Sequence, residues 1–441
     1  MDLVVYAVPL FILAMVFELL WGLRVGRNTY RVNDAVSSLF LGTLSQARKF
    51  VTLGVGGYIY HLTTEYFSLP LMSAESLWTW VLAMVLYDFC YYWLHRMGHE
   101  RTILWAAHVA HHQSEDYNLS TALRQTSTGF LLGWIFYLPM FALGIPAVVV
   151  VTVGSINLIY QFWVHTEHVG KLGWYEWIFV TPSNHRVHHA QNERYLDRNY
   201  GGLFILWDRL FGTFQEELDS DPPIYGIRGP LKSFNPLRAL THIYGDMLRD
   251  SWRAARWRDK LHVWVARNGW RPADVEARYP LNKPSLEAFE RFDPPMSLGV
   301  KLYALFQLVA VVALLAYLQS GTLQSYGTGV ALVLGMLWTT ITTAYWMEGR
   351  SVTRGFVFDS LRLLGLCCGL LMMPATEPLN LAIAVYLWAN LAILIAVAAT
   401  VNGKENGQKL AEGPREEASG AGLVRKSAES LAEPSKPLNL T

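Results

Sequence analysis

Eight of the thirteen histidines in this chain fall into three short clusters: His95 and His99 in HRMGH, His108, His111 and His112 in HVAHH, and His185, His188 and His189 in HRVHH. On a helix, spacings of three and four residues put each cluster's imidazoles on one face, where they converge on a shared ion. Neutral imidazole suits iron, zinc, copper or nickel. Eight ligands exceed what one ion can take while also binding substrate, so two metals is the natural count. Each ion then receives roughly four nitrogens and keeps open positions for dioxygen or water. The three cysteines, Cys90, Cys367 and Cys368, all lie in apolar runs. They form neither a disulfide framework nor a zinc or iron-sulfur cluster and read as inert buried thiols.

Two further passages carry candidates. In LYDFCYYWLHRMGH, Asp88 lies two helical turns before His95 on the same face. An acid inside an apolar span needs a partner, and its expected role is to accept a hydrogen bond from a ligating imidazole and so fix the tautomer. The plainer alternative is a structural ion pair with Arg96 or with a neighbouring helix. In GSINLIYQFWVHTEHVG, Asn157, Gln161 and His165 recur every four residues and make one polar stripe on an otherwise apolar helix. That stripe is expected to face the metals, with His165 as a ninth ligand. His168 lies further toward the polar segment and fits a surface position as well. His61, His242 and His262 are isolated and read as structural.

These residues need elements to hold them. The 441-residue chain is 52% hydrophobic and only 16% charged, with 17 tryptophans, the composition of a polytopic membrane protein. Its formal net charge of +1 offers no field for nucleic acid. The runs 3–23, 76–94, 298–319, 328–347, 355–373 and 379–400 each approach the roughly 20 apolar residues that span a bilayer as a helix. Asp2 stands where a signal peptide has its basic region, and no small-residue cleavage site follows, so the first run reads as an uncleaved anchor. The stretch 50–72 is interrupted by His61 and Glu65. The stretch 130–163 is broken by Pro139, Gly144 and Pro146, which predicts a helical hairpin turning back within or across the bilayer.

Charge then sets the orientation. Arg24, Arg27, Arg31, Arg48 and Lys49 lie between the first two spans, and Arg350 and Arg354 between later ones, whereas 73–77, 320–327 and 374–379 contain no Lys or Arg. The N-terminus is therefore expected outside, with all three clusters and the C-terminal tail on the cytoplasmic side. The expected fold class is all-α: a polytopic helical membrane protein with a His-rich helical cap on the cytoplasmic face. Its expected divisions are N-terminal spans at 1–79, a catalytic unit with the hairpin at 80–240, an interfacial helical segment at 241–297 and C-terminal spans at 298–401. A disordered tail of Lys, Glu, Ser, Gly and Pro follows at 402–441. Within 241–297, DMLRDSWRAARWRDKLHVW interleaves Arg with Trp and reads equally as an interfacial helix or a solvated basic one.

The HxxxH, HxxHH and HxxHH boxes resemble those of the fatty acid hydroxylase and sterol desaturase superfamily of membrane di-iron enzymes. Four passages are similar to its alkylglycerol monooxygenase branch: WAAHVAHHQSEDYNLSTALRQ from Trp105, FWVHTEH from Phe162, TPSNHRVHHAQNERYLDRNYGG from Thr181 and WDRLFGTF from Trp207. The resemblance covers residues 80–240 and extends loosely to the length and the C-terminal spans. It implies two iron ions held by His95, His99, His108, His111, His112, His185, His188 and His189, and it matches His165 to an additional histidine. Glu100 matches an acid of the alkylglycerol enzymes that stands behind the ligands, although it also fits a surface acid. Asn184 stands where close relatives are expected to carry a further His.

The implied activity is dioxygen-dependent hydroxylation of a lipid C–H bond. On an ether lipid, oxidation beside the ether oxygen gives a hemiacetal that collapses to an aldehyde and glycerol. Electrons must come from outside, because the chain has no dinucleotide fingerprint between strand and helix and no appended haem domain; GVGG at 54–57 lies in an apolar run. Tetrahydrobiopterin is the reductant the resemblance implies, and a separate redox protein is the alternative. A sterol, fatty acyl or carotenoid hydroxylase or desaturase would use the same iron pair. A metal transporter or metal-binding scaffold is the reading from a different class. Transport favours ligands near mid-membrane in interrupted helices, whereas most of these histidines fall at span ends or in polar segments.

Overall fold

The computed structural model describes residues 3–50, 54–125, 128–281, 284–321, 325–372 and 377–411. Helices carry the fold, and among the described residues strand pairing is limited to isolated bridges. The N-terminal part contains α1 (Val4–Arg24), α2 (Val32–Ala47), α3 (Val55–Tyr66) and α4 (Leu77–Glu100). Short helices follow at α5 (Thr102–Ala106), α6 (Val109–His112), α7 (Leu119–Ala122) and α8 (Leu138–Ala142), then the longer α9 (Ala147–Trp163). The polar segment holds α10 (Pro182–His189), α11 (Leu206–Leu210), α12 (Pro236–Arg253), α13 (Trp257–Val265) and α14 (Ala273–Arg278). The chain then returns to long helices, α15 (Leu298–Gln319), α16 (Tyr326–Met347), α17 (Val352–Met372) and α18 (Glu377–Ala411).

Among the described residues, five stretches are long and apolar enough to cross a membrane: Val4–Arg24, Leu77–Glu100, Leu298–Gln319, Tyr326–Met347 and Leu379–Val397. The expected run at 355–373 also forms a continuous helix, α17, which carries Arg354, Asp359 and Arg362. Asp359 and Arg362 are fully buried and pair at 2.8 Å, and Arg362 also donates to Thr339, Asn390 and the Tyr303 and Tyr386 hydroxyls. The four C-terminal helices thus share one polar centre, which the apolar surroundings require. Cys90 is buried as expected, but Cys367 and Cys368 are exposed on α17. Helix α18 continues to Ala411, past the change to polar composition at 402, and residues 412–441 of the expected tail lie outside the described residues.

The two ambiguous stretches lie side by side. Helix α3 has 12 residues, well short of the roughly 20 a span needs. Beyond it, the Leu69 and Met72 amides donate to the carbonyls of Ala142 and Gly144, and the Tyr60 hydroxyl donates to that of Ile145. The broken stretch 130–163 is a turn of 3₁₀ helix, then α8, a corner at Gly144 with φ 69°, and α9. Each irregular segment supplies partners for the other's backbone, the condition under which such chain is tolerated at membrane depth.

Helix α2 is an element the sequence reading overlooked. It is polar, yet buried around most of its circumference, from Asn33 and Asp34 to Ser45 and Ala47. It packs against α15 and α16 on one side and reaches the second histidine box on the other. Helices α12 and α13 carry exposed Leu248, Trp252, Trp257, Leu261 and Val265 beside Arg249, Arg253, Arg256 and Arg258.

Candidate metal centre

Helix α4 brings His95 and His99 to its C-terminal end, one turn apart and buried. The second box occupies a single helical turn, with His108 at the N-cap of α6 and His111 and His112 inside it. The third box is helix α10, whose start is fixed by local chemistry. Thr181 caps it by accepting from the Asn184 amide, Asn184 returns the bond to the Thr181 amide, and Pro182 occupies the first turn. Asn184 therefore serves as a cap. His165 follows the end of α9, where its Nδ1 donates to the Gln161 carbonyl at 2.8 Å.

These nine histidines form two adjoining groups. His95, His99, His108, His112 and His188 make one, and His111, His165, His185 and His189 the other; within each, one nitrogen per ring lies within 4.8 Å of the rest. Each group can hold a metal ion. The expectation that every box converges on one ion needs correction. Residues four apart, His108 with His112 and His185 with His189, stay together, while His111 and His188 cross to the neighbouring group. On a helix of 3.6 residues per turn, the i+3 and i+4 side chains diverge to either side of the axis line. Stacked His112 and His189 rings, 4.3 Å between centroids, join the two groups.

The hydrogen bonds show what the rings are prepared for. His95, His111, His165 and His188 each give Nδ1–H to a backbone carbonyl: Tyr200, Arg124, Gln161 and Arg198, at 2.8 to 3.0 Å. A neutral imidazole has one N–H, so their Nε2 atoms carry only lone pairs. Yet Nε2 of His165 faces Nε2 of His111 at 3.3 Å. Two lone pairs at that distance need a cation between or beside them. The Nε2 atoms of His99 and His188 are likewise buried with no hydrogen-bond partner. An unsatisfied buried polar atom costs about 1–3 kcal/mol, and a metal ion removes that cost. Burial pushes the imidazoles of His108, His112, His165, His185, His188 and His189 well below their usual range and that of His111 down to about 4. Neutral, metal-ready imidazole is therefore the resting form, and the donor set fits two nitrogen-ligated ions.

The residues expected behind the ligands sit differently. Asp88 accepts four hydrogen bonds, from Asn157 Nδ2, the Leu203 and Phe204 amides and Trp207 Nε1, all at 2.7 to 2.9 Å and none from an imidazole. Neither does it pair with Arg96, which bonds Glu100 at 2.8 Å. Glu100 meets no ligand through that bond. Asn157 accepts from Gln161, and Gln161 accepts from the Tyr91 hydroxyl at 2.6 Å. The stripe thus meets the histidines directly through His165 and its bond to the Gln161 carbonyl. Two of the donors that meet Asp88 are distant backbone amides, at Leu203 and Phe204, which no helical periodicity reveals.

Several residues at the site escaped sequence reading. Arg124, only 2% exposed, donates to the Ala110 carbonyl and to Ser37, Ser38 and Gln113, while its own carbonyl holds His111. Arg186, between the histidines of the third box, forms a two-pronged pair with Glu217 and donates to the carbonyls of Thr166 and Val169. Glu18 of α1 accepts from Tyr30, the Leu119 amide and Thr166, joining the first span to segments beside both groups. A charged residue inside a polar or apolar run was the available signal for each. His61 pairs with exposed Glu65, His262 packs on Trp270, and neither these nor His168 and His242 join a metal-ligating group among the described residues.

Comparison with known proteins sharpens the chemistry. Residues 80–213 match the fatty acid hydroxylase family model. The chain is 38% identical to human alkylglycerol monooxygenase over 317 residues, 71% of this chain and 70% of that one. It is 34% identical to the Xenopus tropicalis alkylglycerol monooxygenase over 359 residues, 81% and 78% of the two chains. Similarity to an ornithine lipid hydroxylase of Rhizobium tropici is narrower, 31% over 153 residues. No solved structure matches.

Proposed function

The chain belongs to the alkylglycerol monooxygenase family and is a membrane lipid monooxygenase; from that premise we propose that it hydroxylates an ether lipid beside the ether oxygen, using two iron ions and an external reductant. The observation that carries this reading is the pair of buried histidine groups, five and four, whose free nitrogen lone pairs converge at the C-terminal end of a span. His95, His99, His108, His112 and His188 would hold one ion and His111, His165, His185 and His189 the other. When bound, the ions supply the activation of dioxygen that side chains alone cannot perform.

The chain's own residues provide the setting. Backbone carbonyls orient four of the nine imidazoles, and burial keeps water away from the lone pairs. Exposed Val81, Leu82 and Val85 on α4 and Val148, Val151 and Leu158 on α9 present an apolar surface to the bilayer, from which a lipid tail approaches. Hydroxylation converts the C–H bond beside the ether oxygen to a hemiacetal, which collapses to aldehyde and glycerol as its carbon–oxygen bond breaks. Tetrahydrobiopterin is the proposed reductant, with a separate redox protein as the alternative donor.

The test supplies membranes with labelled alkylglycerol, fatty acid and sterol under oxygen, with and without reduced pterin. Labelled aldehyde is expected from the alkylglycerol, dependent on oxygen and abolished by His188→Ala. Products from sterol or fatty acid alone would replace the ether-lipid reading with that of a sibling hydroxylase. No oxygen-dependent product from any lipid would end the proposal.

A further inference from the structure

Behind the five-histidine group lie two fully buried carboxylates, Asp88 on α4 and Asp208 on α11. Between them runs the irregular segment 197–204. It starts with Asp197 and Asn199 in the left-handed region, at φ 59° and 55°, held there as the Asn199 side chain donates to the carbonyls of Asn184 and Gln215. Asp208 then accepts the Tyr200 and Gly201 amides at 2.7 Å each, and Asp88 accepts those of Leu203 and Phe204 at 2.7 and 2.9 Å. Four of the five amides from Tyr200 to Phe204 therefore end on these two carboxylates.

The same segment touches the ligands. The Arg198 carbonyl accepts from His188 Nδ1, and the Tyr200 carbonyl from His95 Nδ1. Both histidines belong to the five-membered group. In the four-membered group His111 and His165 are held by Arg124 and Gln161, outside the segment. The close approach needs the glycine pair. A Cβ on Gly201 would lie 2.5 Å from the Phe204 carbonyl oxygen, and one on Gly202 would lie 2.9 Å from Asp88 Oδ1 and 2.7 Å from the Tyr91 ring.

We propose that Asp88 and Asp208 are positioning residues for one of the two metal sites: by clamping segment 197–204 they set the carbonyls that turn His95 and His188 into the five-histidine group. Amide bonds to a carboxylate are charge-assisted and hold the segment more firmly than neutral acceptors would. Asparagine at either position turns an NH2 group toward donors that need an acceptor. Partners that orient metal ligands typically contribute about 10–100-fold in metal affinity, and here that contribution falls on one site alone. The inference rests on the two-ion reading above.

The experiment titrates ferrous ion, without oxygen, into detergent-purified wild type, Asp88→Asn, Asp208→Asn, Gly202→Ala and His185→Ala, and counts ions per chain. Wild type is expected to bind two. Asp88→Asn, Asp208→Asn and the milder Gly202→Ala are expected to bind one ion as wild type does and the other about 10–100-fold more weakly. His185→Ala is expected to weaken the opposite ion, so that its double mutant with Asp88→Asn binds neither tightly. Wild type with two ions, alongside Asp88→Asn and Gly202→Ala variants that weaken both sites or neither, would overturn the clamp alone. A single ion in wild type would overturn the two-ion reading and the clamp with it.

Discussion

A neutral imidazole has one proton to give, and at four of nine positions that proton is committed to a carbonyl. The second nitrogen then has no choice but to present a lone pair inward, so second partners decide what each ligand can do. The same economy makes the site sensitive to acid. The buried imidazoles outside the spans all have depressed folded-state values, led by desolvation, with His111 at about 4 against an ordinary 6.5. An unfolded chain takes up protons that the folded site refuses, so stability is full above about pH 6.5 and is lost as pH falls, down to about 4 for His111. The folded imidazoles keep their lone pairs down to about pH 4, so metal should be retained at pH 5 while thermal stability already falls below about pH 6.5; a melting temperature unchanged between pH 7 and pH 5 would contradict the assignment.

At the scale of elements, the nine histidines depend on how few helices meet and how closely. Helices α4 and α9 carry His95, His99 and the approach to His165, and they pack through Gly154, where an added Cβ would lie 2.9 Å from the Tyr87 ring. Both helices are anchored there by the chain Asp88, Asn157, Gln161 and Tyr91. Replacing Gly154 by valine overpacks this seam, at an expected cost of about 1–3 kcal/mol. Thermal unfolding in detergent should show the loss. Metal content should drop with it, because His165 moves relative to α4; an unchanged melting curve would show that the seam yields freely. The helical period that revealed the stripe from Asn157 to His165 gave its direction but not its neighbour, because periodicity describes one helix at a time.

The whole molecule joins the histidine-bearing helices to a C-terminal bundle through α2. Its Ser37 and Ser38 meet Arg124 and its Asp34 meets Ser114, both beside the second box, while its apolar residues pack on α15 and α16. A polar helix buried between two bodies looks like a surface helix in sequence, which is why it went unread. The charge pattern further places the histidines and the C-terminus on the cytoplasmic side as a proposal about orientation. Epitope tags at residue 325 and at the C-terminus should then report opposite compartments, and the same compartment for both would refute that orientation.

Sequence by itself determined the donor type, the helical class, the long apolar runs and the family. Imidazole spacing, apolar length and quoted motifs are local properties, carried by neighbours along the chain. Tertiary structure alone decided that the nine histidines divide five and four, with His111 and His188 crossing between groups. It also decided that Asp88 serves amides more than a hundred residues away, at Leu203 and Phe204, in place of an imidazole. The reason is geometric: a one-turn helix can present its side chains to either of two sites, and a buried carboxylate takes whichever donors the rest of the chain brings to it. Only the meeting of α4, α6, α9 and α10 at the histidines removes that freedom.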